Sequence, residues 1–193
     1  MSINYIPSEK LYKTAKKKLK RANTVLDIGC GINPQSLVKA KINICCEPFN
    51  QYVKVLQDKL KNKKNYVVMN VGWNQVVKIF PPKSIDTILL VDVIEHLEKE
   101  EGRELLKATE LVASQQIAIF TPLGFLPQEH PDGKDIWGYD GGSYQEHKSG
   151  WLPEDFDESW DLYISEDYHK TDNMERPLDP PFGAIWAIKN FKC

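Results

Sequence analysis

Short, nearly continuous apolar runs alternate with segments of helical period along most of this chain. Thr24–Ile28, Ile42–Cys46, Tyr66–Met69, Ile85–Val91 and Gln116–Phe120 are the five runs. Strands buried on both faces read this way, whereas half-solvated strands alternate apolar and polar. Between them, Pro34–Ala40, Phe49–Leu60, Trp73–Phe80 and Leu97–Val112 predict helices, the first with Asn33 as N-cap and Pro34 as its first residue. Strands alternating with helices imply a doubly wound α/β fold, with a mostly parallel sheet covered on both faces. A helix over Lys10–Arg21 precedes this series. Two closing strands, Leu162–Ser165 and Ala184–Lys189, follow it, with a further helix expected over Pro153–Trp160. Glu166–Phe182 is polar and proline-rich and is expected to form a surface loop.

The rhythm breaks at Leu123–Gly150, which is rich in Gly, Pro, Asp and His and too long for an idle connection. Such a segment in an α/β protein commonly forms part of the substrate site or a lid. A chain of 193 residues fits one domain over 1–193, with 1–22 as an N-terminal helical extension and 121–152 as the substrate or lid loop. No apolar run is long enough to span a bilayer, and the first residues lack the pattern of a signal peptide. Four cysteines without Cys-x-x-Cys spacing imply neither a disulfide framework nor a zinc site, so a cytoplasmic location is expected. A formal net charge of -2 argues against a nucleic-acid partner. The basic stretch Lys10–Arg21 is the local exception: either a solvated helix face or a contact for a polyanion or membrane surface.

Candidate chemistry falls at strand ends, where open parallel sheets bind their ligands. The first strand ends in Asp27-Ile28-Gly29-Cys30-Gly31, whose glycines let backbone approach a ligand. Glu47 ends the second strand at the distance expected of an acid that binds ribose hydroxyls. Asn70 ends the third strand, and Asp92-Val93-Ile94-Glu95-His96 follows the fourth. A dinucleotide fingerprint would need a third glycine where Pro34 stands, and proline has no amide to offer pyrophosphate.

Leu26-Asp27-Ile28-Gly29-Cys30-Gly31 resembles the cofactor loop of class I S-adenosylmethionine-dependent methyltransferases. Asp92-Val93-Ile94-Glu95-His96-Leu97 is similar to the segment after strand four in that superfamily, and the resemblance runs from Asn23 to Asn190. It implies a seven-stranded sheet with an antiparallel final strand, and S-adenosyl-L-methionine as cofactor. Asp27, Gly29, Cys30 and Gly31 would form the cofactor-binding loop, with Asp27, Gly29 and Gly31 around the amino-acid end of that cofactor and the Cys30 side chain as small packing filler. Glu47 would hold the ribose, Asn70 would sit beside the adenine, and Asp92 would lie near the methionine portion. Asp27 has an alternative as a cap for backbone amides of the turn, and Asp92 as a helix cap.

Methyl transfer to a hydroxyl needs a base. Asp92, Glu95, His96, His130 and His147 are candidates; His147, His130 and Asp92 are the preferred set, with His147 foremost. His147 has a competing role as a loop anchor. Gln145–Trp151 resembles a His-x-Ser-Gly-Trp element of methyltransferases near glycan and cell-surface biosynthesis, so a small-molecule or glycan acceptor and O-methylation are expected. Asp92, Glu95 and His96 share one face of a helical turn, where two carboxylates and an imidazole could bind a divalent metal with His130 or His147 completing the shell; the arrangement looks like the Glu-x-x-Glu-His of small-RNA 2′-O-methyltransferases. A metal-assisted RNA methyltransferase is therefore the first alternative; a non-catalytic partner-binding module of the same fold is the second. No metal is assigned.

Overall fold

The computed structural model describes residues 1–191. One mixed sheet organises the chain. Its strands are β1 (Ser2–Tyr5), β2 (Thr24–Ile28), β3 (Ile42–Cys46), β4 (Tyr66–Met69), β5 (Ile85–Val91), β6 (Ala113–Pro122), β7 (Trp160–Thr171) and β8 (Pro177–Asn190), in the spatial order β1-β7-β8-β6-β5-β2-β3-β4. Every pairing is parallel except the two made by β8, which is antiparallel to both β6 and β7. The doubly wound α/β class and the antiparallel final strand are as expected. The sheet has eight strands, however, because Ser2–Tyr5 pairs in parallel with Asp161–Ile164 at the edge. The N-terminal extension is thus a strand followed by a helix.

Helices α1 (Ser8–Lys18), α2 (Asn50–Leu60), α3 (Trp73–Ile79) and α4 (Lys99–Val112) cover the sheet, and a single turn, α5 (Gly142–Gln145), lies in the long loop. Val76 of α3 and Leu105 and Leu106 of α4 pack on Leu26, Ile28, Ile88 and Leu90. On the opposite face, Leu11 and Ala15 of α1 pack near Val25, Leu89 and Trp186. Successive β2 residues therefore enter different cores, the physical reason its run is apolar without alternation.

Three expectations fail. Residues 34–40 form no helix. The Gln35 amide donates to the Asp27 carboxylate, and Leu37 and Val38 reach down into the α1-side core. So short a segment does not repay the cost of a helical nucleus once its amide and apolar groups have partners elsewhere. Pro153–Trp160 holds only a 3-10 turn at Pro153–Asp155, because buried Trp160 begins β7. Glu166–Phe182 is not a surface loop: β7 and β8 extend through it, pairing His169 with Phe182 and Thr171 with Pro177.

Candidate active site

A cavity of about 530 Å³ opens at the carboxyl ends of β2, β3, β4 and β5, within the usual range for small-molecule sites. Sheet order reverses direction there: β2 lies between β5 and β3. Gly29 and Gly31 line the floor with φ of +67° and +57°. A side chain at Gly29 would be strained and would press on Val93 Cγ2 at 3.0 Å. Beside them, Glu47 is buried yet faces the cavity. Its Oε2 accepts from the Gly31 amide at 3.0 Å and its Oε1 from the Phe49 amide at 2.9 Å. Those bonds fix the carboxylate in place, while burial pushes its pKa above the ordinary carboxylate value.

Asp92 forms a second wall, at the end of β5. Its φ of +53° is unusual for a non-glycine residue, and its amide donates to the Phe120 carbonyl, which holds the turn. Asp92 is open to the cavity space but densely surrounded by protein, and burial raises its pKa to about 6. Glu95 is fully buried and is itself pushed well above its usual value, first by desolvation and then by the Asp92 charge.

The segment Leu123–Trp151 makes the roof. Ser143, Tyr144, Gln145 and Lys148 line the cavity from above. The roof is tied to α2: the Tyr52 hydroxyl donates to Asp135 Oδ2 at 2.5 Å, and Phe49 stacks on Tyr144 with ring centres 4.8 Å apart. Asp135 Oδ1 in turn accepts the amides of Trp137 and Tyr139. Further along, the Lys148 and Ser149 amides donate to the Glu95 carbonyl, and Trp151 is buried with its indole N–H on the Ser149 hydroxyl. Gly150 is required here, since a Cβ would fall 2.4 Å from the Phe125 nitrogen.

Of the expected site residues, Gly29, Gly31, Glu47 and Asp92 line the cavity. Asp27 does not. Its buried carboxylate serves the Gln35 amide, the capping role, and desolvation raises its pKa to about 7. Cys30 points into a small core with Cys45 and Leu56, in keeping with packing filler, and lies off the cavity. Asn33 caps no helix; Lys59 donates to its side-chain oxygen. Asn70 spends its amide hydrogens on the Glu47 and Pro48 carbonyls, so it clamps the end of β3 instead of facing the cavity.

The histidines are rearranged more thoroughly. His147 is buried, with Nδ1 2.5 Å from the Leu126 carbonyl and Nε2 2.9 Å from the Gln128 side-chain nitrogen. Nδ1–H therefore donates to Leu126, and Nε2 accepts from Gln128. Burial lowers its pKa to about 4. With both nitrogens engaged and no place in the cavity wall, His147 is a loop anchor in this arrangement. His130 also lies off the wall, its Nδ1 bonded to the Lys134 carbonyl. His96 does line the cavity. Its Nδ1 donates to the Glu146 carbonyl at 3.2 Å, and burial brings its pKa down to about 4. Tyr52, Trp73, Tyr144, Gln145 and Lys148 are cavity residues that strand-end reasoning did not reach, because most of them come from helix starts and the roof.

No family model matches the chain, and no curated protein sequence matches it either. Solved structures do. An S-adenosylmethionine-dependent methyltransferase from Archaeoglobus fulgidus superposes with a TM-score of 0.58 at 18% identity, covering 95% of this chain and 97% of that one. A candidate methyltransferase of the same cofactor type from Listeria monocytogenes gives 0.61 at 11% identity, over 95% and 99%. TehB from Haemophilus influenzae gives 0.65 at 15% identity, over 94% of this chain and 61% of its own. The fold is that of the class I S-adenosylmethionine-dependent methyltransferases. The edge strand β1 is an addition to the seven strands expected from that resemblance.

Proposed function

We propose that this chain transfers a methyl group from S-adenosylmethionine to a hydroxyl of a small, glycan-like acceptor. The observation that carries this reading is the fixed, buried Glu47 carboxylate facing the cavity beside two glycines of positive φ. The fit to that cofactor follows from the donor set. Each Glu47 oxygen already takes one backbone amide and keeps further acceptor capacity for a ribose hydroxyl. Gly29 and Gly31 offer side-chain-free backbone for close approach. Three carboxylates, Glu47, Asp92 and Glu101, line the cavity against one cationic side chain, Lys148. That balance suits a sulfonium cation and disfavours a diphosphate or a nucleic-acid backbone. Bound there, the cofactor would supply an electrophilic methyl group.

This chain's own residues would bind and align. Glu47 holds the ribose, Asp92 stands near the positive end, and the roof around Tyr144 and Lys148 excludes water from the acceptor side. Alignment and a desolvated pocket are large contributors to such a displacement. Isothermal calorimetry tests the reading. S-adenosylhomocysteine should bind and NAD should not. Glu47→Gln, which keeps an acceptor for the Gly31 or Phe49 amide, should weaken binding by about 1–3 kcal/mol. Saturable NAD binding without S-adenosylhomocysteine binding would overturn the proposal.

A further inference from the structure

Of the chain's four histidines, His130 and His147 belong to the roof segment itself, His96 stands in the cavity wall and His169 lies on β7. His96 and His147 meet edge to face, with ring centres 4.8 Å apart. Each lies close enough to His130 for a charge there to bear on it, and His169 bears on His147 in the same way. Beside His96 and His147 stands Glu95. One donor atom from each of Glu95, His96 and His147 lies within 4.8 Å of the others. Glu95 Oε2 takes the Thr121 hydroxyl, but Oε1 is buried without a donor among the described residues. His130 Nε2 and His169 Nε2 are likewise buried with no partner among the described residues. Folded proteins rarely leave buried polar atoms unpaired, and Glu95 Oε1 is such an atom within the cluster.

We propose that Glu95, His96 and His147 hold a divalent transition-metal ion that binds an oxygen of the methyl acceptor. Both imidazoles are already oriented for it. His96 directs Nδ1–H to the Glu146 carbonyl, and His147 directs Nδ1–H to the Leu126 carbonyl. A metal-ligating histidine usually donates its second ring nitrogen in this way, which leaves Nε2 for the ion. The Gln128 amide now meets His147 Nε2 and is the one group an ion would displace. Two imidazoles and one carboxylate suit zinc, manganese or iron and leave open coordination positions; magnesium and calcium prefer oxygen ligands. His96 reaches the cavity wall beside Asp92, so an acceptor hydroxyl bound to the ion would release its proton to solvent before the roof closes, and the resulting oxyanion would form the new O–CH3 bond as the methyl's bond to the cofactor sulfur breaks. That catalytic role rests on the methyltransferase reading; the ion site itself stands on the cluster.

The test is a titration of EDTA-stripped, full-length protein with CoCl2, followed by visible absorption and calorimetry, with ZnCl2 as competitor. One ion per chain is expected. Glu95→Gln and His96→Ala should each weaken uptake about tenfold or more, the usual effect of losing a ligand or its orientation. Gln128→Ala should keep the affinity or raise it. His147→Ala also removes the anchor to Leu126, so His96→Ala with an unchanged circular-dichroism spectrum decides if His147→Ala unfolds. No uptake at millimolar Co²⁺, or uptake indifferent to Glu95→Gln and His96→Ala, overturns the ion site. S-adenosylhomocysteine binding is measured on the same stripped protein. Its absence alongside intact Co²⁺ uptake would sink the methyltransferase reading while leaving the metal site, and the reverse result would do the opposite.

Discussion

The floor and the roof of the cavity are built on different principles. The floor comes from four strand ends, three of them on strands inside the sheet and one on the edge strand β4, and the sheet register fixes where they lie. Cys46 accepts the Gly29 amide through its carbonyl, and Glu47 then reaches across from β3 to the Gly31 amide beyond β2. The roof has no such frame. Leu123–Trp151 contains only one helical turn and takes its shape from scattered side-chain contacts: Tyr52 on Asp135, His147 on Leu126, Trp151 against Gly102. Position in the floor is inherited from the sheet, and position in the roof is made pair by pair. Substitutions should therefore act locally in the floor, through ligand contacts or charge. In the roof they should act through stability and closure.

The largest effect should come from Trp151→Ala. It empties a fully buried site where the indole packs on Gly102 and Phe156 and carries the Lys99 ammonium 4.0 Å from its ring centre. A loss of about 3–5 kcal/mol in urea unfolding is expected. A loss under about 1 kcal/mol would mean that the roof is anchored elsewhere.

Next comes Asp27, the floor residue that serves the fold. Its folded pKa of about 7 lies above the ordinary value of 3.8. The folded state thus holds the Asp27 proton more tightly than the unfolded chain does. The stability this contributes is complete below about pH 4 and is lost as pH rises through 7. Asp27→Asn keeps an acceptor for Gln35 and removes the titration. It should raise stability at pH 8 by up to about 4 kcal/mol, because each tenfold gain in proton affinity on folding is worth about 1.4 kcal/mol. At pH 4 it should change little. Thermal melts across that range decide; a difference independent of pH would show that Asp27 is ionised throughout.

The smallest effect should follow Tyr52→Phe, which removes the one hydroxyl linking α2 to Asp135 in the roof. About 1–2 kcal/mol of stability should be lost, with faster proteolysis between residues 131 and 141. Unaltered proteolysis would show that the stacking of Phe49 on Tyr144 suffices to hold the roof down.

The floor was legible because local sequence specified it. Buried parallel strands carry a continuous apolar signature, and β2, β3, β4 and β5 begin and end where that signature does. Gly29, Gly31, Glu47 and Asp92 could be placed in a cavity from their offsets to those ends. Asp27, Cys30 and Asn70 sit at equally suggestive offsets, yet their side chains turn to the Gln35 amide, the Leu56 core and the β3 carbonyls. A strand end sets a residue's height in the sheet but not which neighbour claims its side chain.

His147 marks the same limit more sharply. Its place in a long loop rich in Gly, Pro, Asp and His was visible, and both of its possible roles could be stated. Choosing between them required Leu126 and Gln128, some twenty residues upstream, to be brought against the ring. The helix expected over Pro34–Ala40 failed for a related reason: intrinsic preference was overruled by Asp27 and by the core beneath α1. By itself, then, the sequence determined the alternation of strands and helices, the glycine turn and the acid that faces it. These depend on periodicity and on backbone conformations that few residues accept. Only the tertiary structure decided which strand-end side chains face the ligand, and only it set His147, and not His130, beside Glu95 and His96, because those choices are contests between distant groups for the same buried partners.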